Sequence, residues 1–363
     1  MEIKSSFWKD RSVFLTGHTG FKGGWITIWL TMMGAKVYGY SLDPPTTPNF
    51  FSETKLEERL SSSVIDDIQN FSSLKSAMSL AKPSVIIHMA AQPLVRRSYI
   101  SPVETLKTNI LGTTNLLEAA RKIECVEAIV NVTTDKCYEN KEQLKPYIES
   151  DKLGGYDPYS ASKACSELIS AAYRNSFFEE SGIKIATVRG GNVIGGGDWA
   201  TDRLIPDFLS AIDASKKLII RYPDAVRPWQ HVLELLSGYL LLAEKLVTDG
   251  NRFAGAWNFG PQKNDIKPVS WIVDYLIRKI PNAQYEIDNS THPHEASLLL
   301  LDSSKAKSKL GWSQKLSLEV ALDKTIEWHQ AWKNNQSMSE FSISQINSYK
   351  NIKIDQLIVK NDF

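Results

Sequence analysis

Short apolar runs rich in β-branched residues alternate with longer segments of helical periodicity from the start of the chain to about residue 190. Such runs are typical of strands buried in a parallel sheet, whereas apolar residues spaced three and four apart indicate helices. Because strands and helices alternate, we predict an α/β fold with a doubly wound parallel sheet, the Rossmann arrangement. The predicted strands cover 13–16, 36–43, 84–90, 128–134 and 184–189, and the predicted helices cover 25–33, 102–122 and 158–178.

The pattern changes after residue 190, where glycines cluster in 191–197 and short strands then mix with helices. This half is expected to form a smaller mixed domain over the carboxyl ends of the sheet, where open α/β sheets bind ligands. We predict strands at 218–221, 257–259, 284–287 and 298–301, and helices at 233–247, 269–280 and 318–332. The predicted division is a sheet domain of 1–190 joined by 229–260, a ligand-binding domain of 191–228 and 261–340, and a polar tail of 341–363.

A glycine-rich turn joins the first predicted strand to the first predicted helix. Its glycines are Gly17, Gly20 and Gly23, and this order of strand, turn and helix is typical of a dinucleotide-binding motif. Gly17 lets the chain reverse, Gly20 lets backbone approach a diphosphate at the helix N-terminus, and Gly23 lets the helix pack on the strand. A solvent-exposed turn without a ligand is the alternative interpretation.

Asp43 ends the second predicted strand, 26 residues after Gly17. A carboxylate about 20 residues beyond the first glycine meets the adenosine ribose hydroxyls and favours NAD over NADP. Because Pro44 and Pro45 follow directly, an acidic turn residue without a ligand is the alternative.

Composition and charge argue against several classes of function. The chain of 363 residues carries 42 basic and 41 acidic side chains, so its net charge of +1 gives no reason to expect binding to nucleic acid or to a membrane surface. No apolar run approaches the roughly 20 residues of a membrane span, and no secretory signal is recognisable. Cys125, Cys137 and Cys165 lack disulfide or metal spacing, which indicates a reducing cytoplasm and no metal site.

Tyr159 and Lys163 give a strong chemical signal. Being four residues apart on a predicted helix, they share one helical face. The ammonium of Lys163 is expected to lower the pKa of the Tyr159 phenol, so that the phenol acts as a base near neutral pH; the lysine could also hold a nicotinamide ribose. A surface pair is the alternative, but Thr134 ends the preceding predicted strand and adds a third polar group.

On these motifs the chain resembles the extended short-chain dehydrogenase/reductase superfamily from about residue 12 to residue 332, in the branch that modifies nucleotide sugars. The shared motifs are 16–23, 88–92, Asp135 after Thr133 and Thr134, and 159–163. Within that branch the chain most resembles the CDP-glucose 4,6-dehydratase family. The segments that carry this closer likeness are 92–99, 133–138, 189–199 and 227–232.

The resemblance implies dehydration of CDP-glucose to a 4-keto-6-deoxy sugar. Tyr159 would take the proton of the sugar 4-hydroxyl and Thr134 would orient it, while tightly held NAD takes hydride from C4 and returns it to C6. Asp135 would protonate the departing 6-hydroxyl, and Lys136 would remove the C5 proton. Lys136 could instead stay charged and stabilise the enolate, although we prefer the base. Its charge opposes the protonated form that Asp135 needs.

Further contacts follow from the resemblance alone. The substrate residues would be Arg96 beside the sugar, and Asn192, Arg203, Arg227 and His294 along the diphosphate and nucleotide. Asn109 would contact the cofactor or buttress the sheet. The other predicted cofactor contacts, besides Tyr159 and Lys163, are Gly17, Thr19, Gly20, Phe21, Lys22, Gly23, Asp43, Asp67, Ile68, Ala90, Ala91 and Gln92.

Two other functions compete with the dehydratase. A nucleotide-sugar 4-epimerase needs the same Tyr159, Lys163 and NAD but no acid–base pair for C5 and C6, so Asp135 and Lys136 distinguish the two. A non-catalytic NAD-binding regulator needs only the glycine turn, and the intact Tyr159 and Lys163 argue against it.

The resemblance also implies an assembly and a cellular role. Relatives usually form homodimers through a pair of helices, so we expect a homodimer or a higher homo-oligomer. The predicted helices beginning at Pro102 and Pro158 are the candidates for this contact. The role would be cytoplasmic supply of deoxysugars for bacterial surface polysaccharide, such as the O-antigen of lipopolysaccharide.

Overall fold

The structure, a computed structural model, describes residues 2–281, 283–290, 292 and 296–352. Its strands are β1 (Ser12–Thr16), β2 (Lys36–Ser41), β3 (Ser62–Ile65), β4 (Val85–His88), β5 (Ala128–Val132), β6 (Lys184–Gly190), β7 (Asn192–Ile194), β8 (Leu218–Ile220), β9 (Val226–His231), β10 (Gly255–Phe259), β11 (Ile266–Pro268) and β12 (Tyr285–Ile287). Seven of them form one sheet in the order β10-β6-β5-β4-β1-β2-β3, with every neighbouring pair parallel. The predicted doubly wound parallel sheet is confirmed.

Helices cover both faces of this sheet. The helices of the described residues, including those that pack on the smaller sheets, are α1 (Ser5–Trp8), α2 (Phe21–Met32), α3 (Phe50–Glu53), α4 (Phe71–Ala81), α5 (Val95–Ile100), α6 (Pro102–Leu106), α7 (Gly112–Ala120), α8 (Pro158–Tyr173), α9 (Glu179–Ser181), α10 (Leu204–Asp213), α11 (Val232–Asp249), α12 (Val269–Lys279), α13 (Leu318–Lys333) and α14 (Met338–Lys350). A π-helical turn at Lys107–Leu111 joins α6 to α7, and another at Arg174–Phe178 joins α8 to α9. The two long predicted helices are therefore continuous but locally widened.

The core lies in two layers, one on each face of the sheet. On one face α2 and α11 pack against the strands, with Trp25, Trp29 and Tyr239 fully or almost fully buried. On the other face α4 and α7 pack around Leu74 and Leu116. Because the central strands are covered on both sides, β4 and β5 are buried at every position, as their continuous apolar sequences predict.

The second half of the chain adds two small sheets, one of β11, β9 and β7 and one of β12 and β8. They pack with α10, α12 and α13 around a separate apolar cluster. β10, by contrast, returns to the edge of the large sheet beside β6. The division into domains stays a prediction, although this return is consistent with it.

The predicted strand at 298–301 is wrong. Leu298 makes an isolated bridge with Val226, and Leu301 makes another with Tyr147. Because these two partners belong to different parts of the chain, no continuous ladder forms, and the apolar run is buried by side-chain packing instead. Within the described ranges, no helix combines the length and apolar character needed to cross a bilayer.

The polar tail, which the sequence pattern left unplaced, contributes α14. This helix packs on α2 and α13, and Tyr349 contacts Trp29 with ring centroids 5.7 Å apart. The Tyr349 hydroxyl also donates to Oε2 of Glu234 on α11 at 2.9 Å. Oε1 of Glu234 accepts the backbone N–H groups of Lys315 and Leu316 at 2.9 and 2.7 Å. One buried carboxyl group thus ties α14 and the segment before α13 to α11.

We predict that Glu234→Gln removes a pH dependence of stability. Burial raises the pKa of Glu234 to about 7, so the folded state binds a proton more tightly than the unfolded state and stability falls as pH rises toward 7. The wild type should lose about 2 kcal/mol more unfolding free energy than the variant between about pH 5 and pH 8. Urea unfolding at both pH values measures this difference, and parallel pH dependences in the two proteins would contradict it.

Candidate active site

The glycine turn between β1 and α2 has the geometry of an anion cradle. Gly17 adopts a positive φ of 78°, and a Cβ at Gly23 would lie 2.0 Å from the Gly17 carbonyl oxygen, so side chains are excluded at both positions. A Cβ at Gly20 would meet only that same oxygen at 3.4 Å, so the space in front of Gly20 is open. Gly20 caps the N-terminus of α2, where free N–H groups and the helix dipole favour a diphosphate. The turn therefore fits a dinucleotide.

Residues around this turn are fixed by their own hydrogen bonds. The Thr19 hydroxyl contacts Ser41 and donates to the Leu42 carbonyl, both at 2.8 Å, which ties the turn to the end of β2. Asp43 follows this end and is exposed. The Thr16 hydroxyl accepts the backbone N–H of Ala90 at 3.2 Å and so holds the loop after β4, which continues to Ala91. Asp67 and Ile68 follow β3, with Ile68 buried.

Asn109 was expected either to contact the cofactor or to buttress the sheet, and the structure favours buttressing. Its side chain accepts the backbone N–H of Gln92 at 2.9 Å and donates to the Gln92 carbonyl at 3.1 Å. It also donates to the Ser162 hydroxyl at 2.8 Å. Both amide hydrogens are thereby used, so Asn109 fixes the loop after β4 against α8.

Helix α8 presents three functional side chains on one face. It begins with Pro158 after Asp157, whose carboxylate accepts the backbone N–H of Ser160 at 2.9 Å and so caps the helix. Tyr159, Lys163 and Glu167 follow at intervals of four residues and are all buried against the sheet.

Tyr159 is only 7% exposed and forms a hydrogen bond with the Thr134 side chain. Burial raises the pKa of Tyr159 to about 12, which the hydrogen bond with Thr134 opposes and the charge of Asp135 reinforces. The expected lowering of this pKa by Lys163 is therefore wrong for these side chains by themselves. The reason is that the phenol contacts Thr134, whereas the lysine amine contacts backbone.

Lys163 lies one helical turn further along α8, and its amine donates to the Val132 carbonyl at the end of β5 at 3.0 Å. Burial lowers the pKa of Lys163 to about 7, and the charge of Lys22 lowers it further while Glu167 opposes the change. Burial likewise lowers the pKa of Lys22 to about 8. Both lysines can therefore exchange a proton near neutral pH.

Asp135 and Lys136 lie in a short 3-10 turn that directly follows Thr134. Oδ1 of Asp135 accepts the Thr134 hydroxyl at 3.0 Å and lies 3.6 Å from the Lys136 amine. Oδ2 of Asp135 is buried and has no hydrogen-bond partner among the described residues. The Lys136 side chain is 26% exposed and lines the adjoining cavity. The turn therefore places a buried carboxyl oxygen without a partner next to an amine that lines the cavity.

A buried ion pair lies behind this turn, and sequence reasoning missed it. Arg189 on β6 binds both carboxylate oxygens of Glu167, with nitrogen–oxygen distances of 2.9 and 2.8 Å. Glu167 also accepts the Thr133 hydroxyl at 2.5 Å, and Arg189 donates to the Tyr138 hydroxyl at 2.8 Å. The pair thus holds both ends of the segment 133–138, which carries Thr134, Asp135 and Lys136. The spacing of Glu167 from Lys163 was the available signal.

A cavity of about 280 Å³ connects this chemistry to the second half of the chain. Its lining includes Thr134, Lys136 and Tyr159 from the sheet side and residues of α10 and β8 from the other side. The predicted ligands Phe21, Lys22, Arg96, Asn192, Arg203 and Arg227 also line it.

The predicted substrate arginines are held by partners of their own. Arg203 pairs with Asp198 at 2.8 Å, and Arg96 lies 3.5 Å from Asp202. Arg227 is buried and donates to the carbonyl of Ser297 at 3.2 Å. The sequence reasoning missed the carboxylates Asp198, Asp202 and Asp207 of this cavity. His294 lies outside the described residues.

The fold, the glycine turn and the Tyr159–Lys163 helix together define an enzyme of the extended short-chain dehydrogenase/reductase class, as the motifs indicated. The sequence pattern of the GDP-mannose 4,6-dehydratase family matches residues 14–325. The chain therefore belongs to this family.

Relatives agree with this assignment. The chain is 48% identical to the CDP-glucose 4,6-dehydratase of Salmonella typhimurium over 353 residues, which cover 96% of this chain and 98% of that protein. It is 27% identical to the dTDP-glucose 4,6-dehydratase of the same organism, over 70% of this chain and 75% of the relative.

Solved structures share the fold. The UDP-glucose 4-epimerase of Thermotoga maritima with UDP-glucose matches with a TM-score of 0.75 at 24% identity, covering 88% of this chain and 99% of that one. The dTDP-glucose 4,6-dehydratase of Streptomyces venezuelae, solved with NAD bound, matches with a TM-score of 0.74 at 24% identity, covering 89% and 98%.

We predict that Glu167→Gln destabilises the protein far more than the same change in a surface pair. Removing one partner from a buried pair leaves an uncompensated charge and should cost about 3–5 kcal/mol of unfolding free energy. Glu118→Gln, in the half-exposed pair with Arg121, should cost no more than about 1 kcal/mol. Denaturant unfolding of both variants measures the difference. Similar small losses would show that an unpaired Arg189 is tolerated and that breaking the buried pair is not costly.

Proposed function

We propose that the protein dehydrates CDP-D-glucose to CDP-4-dehydro-6-deoxy-D-glucose as an NAD-dependent lyase. One observation carries the proposal: Asp135 and Lys136 lie on the same turn as Thr134, which is hydrogen-bonded to Tyr159. A base for the 4-hydroxyl and an acid–base pair for C5 and C6 are therefore side by side. A 4-epimerase has no use for that pair. The choice of CDP-glucose is supported by the 48% identical relative.

The proposed cofactor is NAD. The open space at Gly20 and the N-terminus of α2 suit its diphosphate, and Asp43 at the end of β2 is the proposed partner of the adenosine ribose. When bound, NAD would accept hydride from sugar C4 and return it to C6. Lys163, beside Tyr159, is the proposed ligand of the nicotinamide ribose.

Tyr159 and Thr134 handle the 4-hydroxyl in this proposal. Tyr159 accepts the hydroxyl proton, and Thr134 orients the hydroxyl, since its own side chain already contacts the phenol. Because burial holds the pKa of Tyr159 near 12, the phenolate needs positive charge nearby. Arg203, whose charge already opposes the rise of this pKa, supplies part of that positive charge from the protein side.

Asp135 and Lys136 handle the elimination. The buried, unpartnered Oδ2 of Asp135 is the oxygen that would carry the proton for the departing 6-hydroxyl. Lys136, which reaches into the cavity from the next residue, would remove the C5 proton. Its amine lies 3.6 Å from the other carboxyl oxygen, Oδ1 of Asp135. C5 would be reprotonated when hydride is returned to C6.

The substrate diphosphate and nucleotide would occupy the remaining cavity. Arg203 and Arg227 are the proposed cationic ligands there, and Asn192 on β7 is a proposed neutral one. Arg96 is proposed to lie beside the sugar. His294 stays a prediction.

We further propose a homodimer that acts in the cytoplasm. Apolar side chains are exposed on α5 to α8, the surface predicted for helix pairing: Ile100, Val103, Leu106, Leu111 and Leu168. Cys125, Cys137 and Cys165 are free thiols, as expected in a reducing compartment. The proposed role is supply of deoxysugars for bacterial surface polysaccharide.

Replacing Tyr159 by phenylalanine tests the proposed function. The wild type should convert CDP-glucose to a 4-keto sugar that absorbs in alkali, with tritium from C4 recovered at C6. Tyr159→Phe should lower this turnover by about 10²- to 10⁴-fold, because the general base is lost, while CDP-glucose still binds.

Tyr285→Phe is the matched control, since Tyr285 lies outside the cavity lining and is 37% exposed. It should leave turnover unchanged. Full activity of Tyr159→Phe, or product without transfer of the label, would refute the mechanism. A 4-epimerized product without a ketone would instead identify an epimerase.

Two substitutions at Lys136 separate a base from an electrostatic stabiliser. Lys136→Met should slow exchange of the C5 hydrogen with solvent by about 100-fold or more, with little change in substrate affinity. Lys136→Arg keeps the charge but cannot become neutral, so it should be equally slow if the lysine is the base. Exchange that survives in Lys136→Arg would assign the stabilising role. The exposed Lys152→Met serves as the control.

A further inference from the structure

This inference rests on the proposed function, in which the sugar lies at Tyr159 and the nucleotide base occupies another end of the cavity. In a pyranose C1 and C4 lie on opposite sides of the ring, so a sugar with C4 at Tyr159 directs its nucleotide away from the sheet. The lining away from the sheet comes from the first turn of α10 and from β8 with the residues that follow it. Ile205, Pro206 and Ile219 supply apolar surface there, which suits the faces of a base.

Carboxylates in this part of the cavity differ in their partners. Asp198 is paired with Arg203 at 2.8 Å. Asp202 lies 3.2 Å from Arg221 and 3.5 Å from Arg96. Asp207, in the first turn of α10, has no basic side chain within ion-pair distance among the described residues. It is the carboxylate of the three whose charge is not neutralised by an adjacent arginine.

The surroundings of Asp207 leave it short of donors. Burial raises the pKa of Asp207 to about 6, and the charge of Asp202 raises it further, while Arg221 and a backbone hydrogen bond at Asp202 oppose the rise. A carboxylate offers about four acceptor positions, so that one backbone bond leaves most of its capacity unused. An N–H donor on a ligand would supply what the protein does not.

Pyrimidine bases differ in the group that they present at position 4. Cytosine carries an exocyclic amino group there, which donates, whereas uracil and thymine carry a carbonyl oxygen, which accepts. A carboxylate facing that position accepts from cytosine and repels the oxygen of the other two bases.

We propose that Asp207 selects cytidine nucleotides by accepting a hydrogen bond from the cytosine amino group. The carboxylate sits on α10, and apolar residues of the same turn and of β8 cover the base. Asp207 therefore determines which nucleotide sugar enters, and it takes no part in the chemistry at C4, C5 or C6.

The test compares CDP and UDP in the wild type, in Asp207→Asn and in Asp207→Leu. Competitive binding of the two nucleoside diphosphates gives one ratio, and kcat/KM for CDP-glucose and UDP-glucose gives a second. Asparagine can donate to uracil O4 as readily as it accepts from cytosine, so both ratios should fall about 10- to 100-fold in Asp207→Asn. Asp207→Leu should lose the preference without gaining a polar contact. Asp224→Asn, at an exposed position outside the cavity lining, should keep the wild-type ratios.

The two readouts separate this inference from the proposed function. The wild type could make no ketosugar while the ratio of CDP binding to UDP binding still falls in Asp207→Asn. This result would overturn the proposed function but support base selection by Asp207. If both Asp207 variants keep the wild-type ratios and still form the ketosugar, base selection by Asp207 is overturned and the proposed function is retained.

Discussion

The buried ion pair of Glu167 and Arg189 is the constraint on which the site depends. Both side chains are 3% exposed, so their charges are compensated by one another and by hydroxyl donors rather than by water. The pair joins α8 to β6, and through Thr133 and Tyr138 it fixes both ends of the turn that carries the reactive groups. A buried pair of this kind contributes little net stability but is costly to break. The main effect of this pair is therefore to fix the position of the turn that carries Thr134, Asp135 and Lys136.

The same helix face sets both geometry and charge. Tyr159, Lys163 and Glu167 lie at intervals of four residues on the buried face of α8. Glu167 is therefore one turn from the lysine and two turns from the phenol. Glu167 favours the charged form of Lys163, whereas burial and Lys22 oppose it. The resulting pKa of about 7 is a balance between these effects. A substitution at Glu167 would therefore change the pKa of Lys163 as well as the shape of the site.

Local patterns explain how much of this site the sequence could predict. The glycine turn and the Tyr159–Lys163 pair are short-range features, because their meaning depends on neighbours within one turn or one helix, and both were found. Arg189 and Glu167 were missed as a pair because 22 residues separate them and only the sheet brings them together. The strand predicted at 298–301 was wrong for a related reason. Its apolar pattern indicates burial but does not show which segment the residues pair with. The pKa of Tyr159 depends on burial, which spacing does not encode.

Charge balance across the cavity follows from the same reasoning. Arg203 is predicted to meet the diphosphate and Arg96 the sugar, yet each already faces an aspartate of the loop 198–203. A diphosphate must therefore compete with these carboxylates, so part of its attraction is spent on separating existing pairs. Among the described residues Asp207 has no arginine within ion-pair distance, so a neutral donor would reach it without displacing a cation. Asp207 can thus select the base strongly even though Asp198 and Asp202 weaken the attraction of the arginines to the phosphates, because different carboxylates act on the base and on the phosphates.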